Sequence, residues 1–105
     1  MIALALALVI QSEKLPQYAD AVKCAGLTAA QHKLLGHYNA KSEAAFDASI
    51  FWSMAAMERA RKDGADHARF ERDVADAAEL ATAGLVARSR TVRAELKKCI
   101  ARVPN

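Results

Sequence analysis

From Pro16 to Val103 the apolar positions recur at three- and four-residue steps, the period of an amphipathic α-helix rather than of a half-buried strand. Local signals divide this run. A first helix is expected from near Pro16, a residue favoured in a first turn, to Leu35, with Gly36 as its stop. Cys24, Leu27, Gln31, Leu34 or Leu35, and Tyr38 share its inner face. Gly26 in its middle is a weak spot, a kink or a place of close helix approach. Asn39 is a natural N-cap for a second helix running to about Lys62, and Gly64 suits the left-handed cap that ends it. Asp66 caps a third, where Phe70, Val74, Ala77, Ala81 and Leu85 keep the stripe. The last segment carries Leu85, Ser89, Val92, Leu96, Cys99 and Val103, and Pro104 closes it.

The second helix is the one around which the chain is expected to be organised. Residues 46–60 hold two of the three Phe, the only Trp and two of the three Met. Phe46, Ile50, Ser53, Met54 and Met57 fall on one face, while Phe51 and Trp52 fall off it among alanines. A helix apolar on more than one side is normally covered on more than one side. The expected core anchors are therefore Phe46, Ile50, Trp52, Met54 and Met57, joined by Phe70 and Leu96.

The third and last segments share one apolar phase, so periodicity alone permits a single helix from Asp66 to Val103. It would be about 57 Å long, too long for a domain of this size. The cysteines supply a second test, because a disulfide holds its Cα atoms about 4.4–6.8 Å apart. Cys24 is near the start of the first helix and Cys99 near the end of the last. In an antiparallel series those ends meet only when the helix count is even. If Cys24 and Cys99 pair, the chain turns at residues 82–85, with Gly84 as the turn residue. The fold is then an all-α, antiparallel four-helix bundle stapled between its first and last helices.

Before this domain stands Met1–Ile10, almost purely apolar, followed by Gln11-Ser-Glu-Lys14. Ten residues are too few for a helical membrane span, which takes about 20. They match the apolar region of a secretory signal. Residues 1–12 read as an atypical or clipped signal peptide, and 13–105 as a single helical domain. Ile10-Gln-Ser12 is an imperfect cleavage site, and the better-formed Ala19-Asp-Ala21 lies far from the apolar run. No Lys or Arg precedes the run, which leaves an N-terminal strand or helix packed on the bundle as the alternative.

Composition narrows the picture. A chain of 105 residues makes one domain. Four Gly and two Pro imply short loops and high helix propensity. The formal charge of +3 is unevenly spread. Asp63, Asp66, Glu71, Asp73, Asp76 and Glu79 face only Arg69 and Arg72 in residues 63–79, whereas Arg88, Arg90, Arg93, Lys97, Lys98 and Arg102 face only Glu95 in residues 85–105. Acids near one helix start and bases near another helix end suit the helix dipole, and the two helices would lie side by side with opposite charge. The bases scatter around the last helix with no aromatic among them, which argues against a nucleic-acid footprint.

Candidate chemistry is sparse. Two cysteines in a small exported chain read as one structural disulfide closing a loop of about 75 residues; the alternative is two free buried thiols in a cytosolic protein. No C-x-x-C motif points to redox work. His32 and His37 sit about 140° apart on a helix and cannot chelate together, and His67 stands among acids, so no metal site is expected and the histidines read as surface residues. Met54 and Met57 read as core residues rather than haem ligands. No nucleophile elbow, phosphate loop or dinucleotide glycine pattern is present. No cofactor is implied, no catalytic residue is assigned, and the chain is not expected to be an enzyme.

Cys24-Ala-Gly-Leu-Thr28, Phe51-Trp-Ser-Met-Ala-Ala56 and Cys99-Ile-Ala-Arg-Val-Pro104 together resemble small exported two-cysteine helical proteins of alphaproteobacteria that have no assigned activity. The resemblance implies an envelope location and brings no functional residues. Gly64-Ala-Asp66 between Ala-rich helices is similar to a tetratricopeptide hairpin, but no second copy at a 34-residue period exists. Architecture alone, with no residue motif, gives a likeness to periplasmic acid-stress chaperones. The expected function is a non-catalytic protein-binding, accessory or stress factor of the cell envelope, periplasmic or secreted, with partner and oligomeric state unspecified. The alternative is a cytosolic adaptor or regulator that touches a protein or nucleic acid through its basic last helix.

Overall fold

The first two helices end where their local chemistry tells them to. The computed structural model describes residues 15–36 and 39–104, so the expected signal peptide, His37 and Tyr38 lie outside the described residues. Among the described residues there are four helices and no strand: α1 (Tyr18–Leu35), α2 (Ala40–Asp63), α3 (His67–Val86) and α4 (Arg90–Ala101). Gly36 and Gly64 take the left-handed conformation that closes α1 and α2, with φ of 65° and 77°. The Asn39 side chain accepts the Ser42 N–H, Asp66 accepts that of Arg69, and Ser89 that of Val92, satisfying backbone donors that a helix start leaves unpaired.

The first and last helices are joined by a Cys24–Cys99 disulfide, with Cα atoms 5.5 Å apart. The four-helix count and the staple agree, as the parity argument requires. The turn between α3 and α4 is not at Gly84, however. Gly84 lies inside α3, and the chain reverses at Ala87-Arg88-Ser89, where Arg88 carries φ of 58°. Gly84 serves a different purpose, since a Cβ there would stand 2.6 Å from Val92 Cγ2. It lets α4 fold back closely onto α3.

The organising helix is α1, not α2. Residues 21, 22, 24–28 and 30 are all buried, which covers most of its circumference, and α1 packs against all three other helices. Its small residues make this possible. A Cβ on Gly26 would lie 2.6 Å from the Ala77 carbonyl carbon, so α3 rests directly on the α1 backbone, and the expected weak spot is a close approach rather than a kink.

The expected face of α2 is inverted. Ala45, Ala48, Trp52, Ala55, Ala56 and Ala60 are buried, whereas Phe46, Ile50, Met54 and Met57 are 46, 44, 65 and 46 % exposed. Four of the seven expected anchors are thus surface residues, and Trp52, Phe70 and Leu96 alone are in the core. The reason is steric. Close packing rewards the face that fits its neighbour, and the Ala face of α2 fits the small-residue surface of α1. One large side chain, Trp52, fills the gap towards α4. On α3, Phe70 and Ala81 are buried, and Val74, Ala77 and Leu85 pack against the core as the stripe predicts.

Candidate functional site

The cysteines and His32 serve the fold, and His67 stands on the surface. Both cysteines are consumed by the disulfide. Among the described residues no three His, Cys, Asp or Glu side chains are gathered as a metal-binding group. His67 is exposed beside Glu71, with Nε2 to Oε1 at 3.0 Å. His32 is half-buried instead of on the surface, because it spans the α1–α2 junction. Its Nδ1 stands 3.2 Å from Ser42 Oγ, and its ring lies 5.0 Å from that of Phe46.

The opposite charges of α3 and α4 do not answer one another. The cross-helix ion pairs run to α1 from α4 and the residue that follows it, Lys23 to Glu95 and Asp20 to Arg102, the latter at 2.9 Å. Arg102 also lies over the Trp52 ring, 4.9 Å from its centroid, a cation–π contact that seals the buried indole. On the other flank, Tyr18 Oη donates to Asp73 Oδ2 at 2.7 Å. Partial burial of the phenol, then this bond to a carboxylate, push its pKa up from 10.0 to about 12. A groove of about 620 Å³ opens there between α1, α3 and α4, but its polar groups are largely paired with each other, Tyr18 with Asp73 and Lys23 with Glu95.

What remains is the outward face of α2. Phe46, Ile50, Met54 and Met57 follow steps of 4, 4 and 3, one stripe about 17 Å long. Their exposed fractions amount to apolar surface on the order of 400 Å², the size of patch that on monomers is often functional. Glu43 and Arg61 stand on the same azimuth at the two ends, since eighteen residues are about five turns; both are exposed. The stripe therefore runs from an acid through a thioether-rich apolar centre to a base. Methionine is flexible and polarisable, and it suits a contact surface that must adapt to what it meets. These four residues share one helix face, as their spacing predicts, but that face is turned outward. The signal that separates the two faces is side-chain size, with five alanines on the buried side.

No protein-family model matches the chain, and comparison with curated proteins and with solved structures returns no match. No described helix is long and apolar enough to cross a membrane.

Proposed function

We propose that this chain is a non-catalytic protein-binding module of an oxidising compartment, the cell envelope or beyond it, and that it engages its partner through the outward face of α2. One observation carries the reading: Phe46, Ile50, Met54 and Met57 face outward while five of the seven alanines of α2 are buried. Met54 is 65 % exposed and Phe46, Ile50 and Met57 close to half exposed, so each leaves apolar surface in water that the fold itself does not cover. A helical partner laid along the stripe would cover them, with Glu43 at one end and the Arg61–Glu58 ion pair at the other. The Cys24–Cys99 disulfide supports the compartment, because such bonds persist where thiols are not kept reduced.

The test is site-specific photo-crosslinking in the native host, with benzoylphenylalanine placed at Met54 and, as control, at the exposed Glu79 of α3. A discrete adduct from position 54 and none from position 79 is the expected result. Its mass shows whether the partner is another protein or a second copy. No adduct from position 54, or equal adducts from both, removes the binding role of this face.

A further inference from the structure

On the far side of α2 lies a second surface of different character. Lys41 and Ala44 sit about 120–180° around that helix from Ile50, and they border a groove of about 980 Å³ that also reaches α1, α3 and α4. Its floor is aliphatic: Leu34 from α1, Leu85 and Val86 from the end of α3, Leu96 and Ile100 from α4. Beside the neutral Gln31, the charged residues of its rim are all basic. Lys41 comes from α2, Arg88 from the α3–α4 turn, and Arg93 and Lys97 from successive turns of α4. Among the described residues no acid lines the groove, and none of these four bases enters an ion pair. Leu34 and Val86 are 45 and 67 % exposed, so part of the apolar floor is itself uncovered.

The geometry points to this groove as a docking site for an acidic amphipathic helix of a partner protein, distinct from the α2 stripe and independent of the reading given to it. The argument is charge complementarity joined to shape. The bases are spread over three elements, with Arg93 and Lys97 alone separated by about 6 Å along α4. An amphiphile with one anionic head would answer one or two of them and leave the others unmet. A helix with apolar residues at i, i+3, i+4 and i+7 and carboxylates on both flanks meets the floor and the rim together. Nucleic acid fits less well, because the floor offers five aliphatic side chains and no aromatic platform for a base.

The experiment titrates the full-length oxidised chain against a fluorescein-labelled synthetic helix of about 16 residues, Leu at i, i+3, i+4 and i+7 and Glu on both flanks, read by anisotropy. Two sister peptides exchange Glu for Lys, or Leu for Ser. A labelled oligonucleotide and dodecanoate are run as competitors. The acidic peptide alone binds, and raising salt from about 50 to about 300 mM weakens it severalfold. Arg93→Glu with Lys97→Glu weakens it at least about tenfold, as does the uncharged floor change Val86→Ser. Met54→Gln, on the other surface, leaves it unchanged, so failure here and failure of the α2 reading are told apart. Circular dichroism verifies that each variant is folded, which the exposure of all four changed positions favours. Failure of the acidic peptide to bind, equal binding by the Lys peptide, indifference to both groove variants, or displacement by the oligonucleotide or dodecanoate at lower concentration than by unlabelled peptide overturns the proposal.

Discussion

Trp52 donates its indole Nε1–H to the carbonyl oxygen of Cys99 across 2.9 Å. Cys99 stands in the last turn of α4, where backbone carbonyls have no helical N–H to accept, and the next free amide, that of Val103, goes to Ile100 instead. One side chain of α2 thus completes the end of α4 at the residue that ties α4 to α1. With Trp52 1 % exposed, Trp52→Phe keeps most of the volume but strands a buried acceptor, at a cost of about 1–3 kcal/mol. Trp52→Ala adds a cavity and costs about 3–5 kcal/mol. Met54→Ser, two residues on and 65 % exposed, stays within about 0.5 kcal/mol of the parent. Urea denaturation of the three variants ranks them; a Met54→Ser loss as large as that of Trp52→Ala would return α2 to the orientation first expected from its periodicity.

That orientation was the part of the fold the sequence left open. Helix limits were legible because caps are local: Gly36, Asn39, Gly64 and Asp66 each act within a few residues of themselves. The face of α2 was not, because residues 46, 50, 54 and 57 and residues 45, 48, 52, 55 and 56 satisfy the same 3.6-residue period. Periodicity states that a stripe exists and says nothing of which stripe is inside. The choice was made by α1, whose Ala- and Gly-rich surface accepts alanines at short range. The α3–α4 turn was misplaced for a related reason. Gly84 has two uses, a turn or a close approach, and Val92 beside it in space is eight residues away in sequence. The candidate surfaces inherit these ambiguities, since an outward apolar stripe and a core stripe are the same pattern.

The staple should dominate the stability of the domain. Its two cysteines are 75 residues apart, so it restricts most of the unfolded chain, and its loss costs about 2–5 kcal/mol. Reduction, or Cys24→Ser with Cys99→Ser, lowers the melting temperature accordingly. In protein recovered from its native host, intact mass after alkylation gains two adducts only when reductant is added first. Two adducts without reductant would place the chain in a reducing compartment and remove the support for the proposed location.

The two helical glycines predict unequal tolerance to alanine. At Gly26 the added Cβ meets Ala77 and Ala78 backbone atoms at 2.6 and 2.7 Å, and backbone cannot step aside without separating α1 from α3. Gly26→Ala costs about 1–3 kcal/mol, as overpacking does, despite the better helix propensity of alanine. At Gly84 the obstacle is the Val92 side chain, with Cγ2 at 2.6 Å and Cβ and Cγ1 at 3.1 Å; a β-branched side chain cannot turn away, so the short α4 must shift slightly, and the propensity gain of about 1 kcal/mol offsets part of that cost. Thermal melts of the two variants should differ clearly, with Gly26→Ala the less stable.

Tyr18 gives the domain an alkaline limit. Its neutral phenol is favoured in the folded state, with the pKa raised from 10.0 to about 12. A raised folded value means that the contribution is complete below pH 10 and is lost as pH climbs from there through about 12. In a Tyr38→Phe background, which leaves Tyr18 as the sole tyrosine, the phenolate absorbance should titrate near the upper value. Asp73→Asn removes the charged acceptor and moves the midpoint down towards 10. It does not reach that value, because partial burial, the larger cause, persists. A midpoint unchanged by Asp73→Asn would show that the 2.7 Å bond contributes nothing to the shift.

Arg88 should reveal whether its position is kept for stability or for its charge. It is the one non-glycine residue with positive φ among the described residues, at 58°, a conformation that costs an L-residue about 1–2 kcal/mol. Glycine removes that strain but returns about 0.5–1 kcal/mol to the unfolded chain as added freedom, so Arg88→Gly gains about 0.5–1 kcal/mol net. Arg88→Ala keeps the strained backbone and removes only the side chain, so the difference between the two variants isolates the backbone contribution. If the basic rim is a binding surface, both variants lose affinity for the acidic helical peptide equally while only one of them gains stability. A residue retained for the turn itself would show the reverse, with Arg88→Gly destabilising and the peptide indifferent to either change.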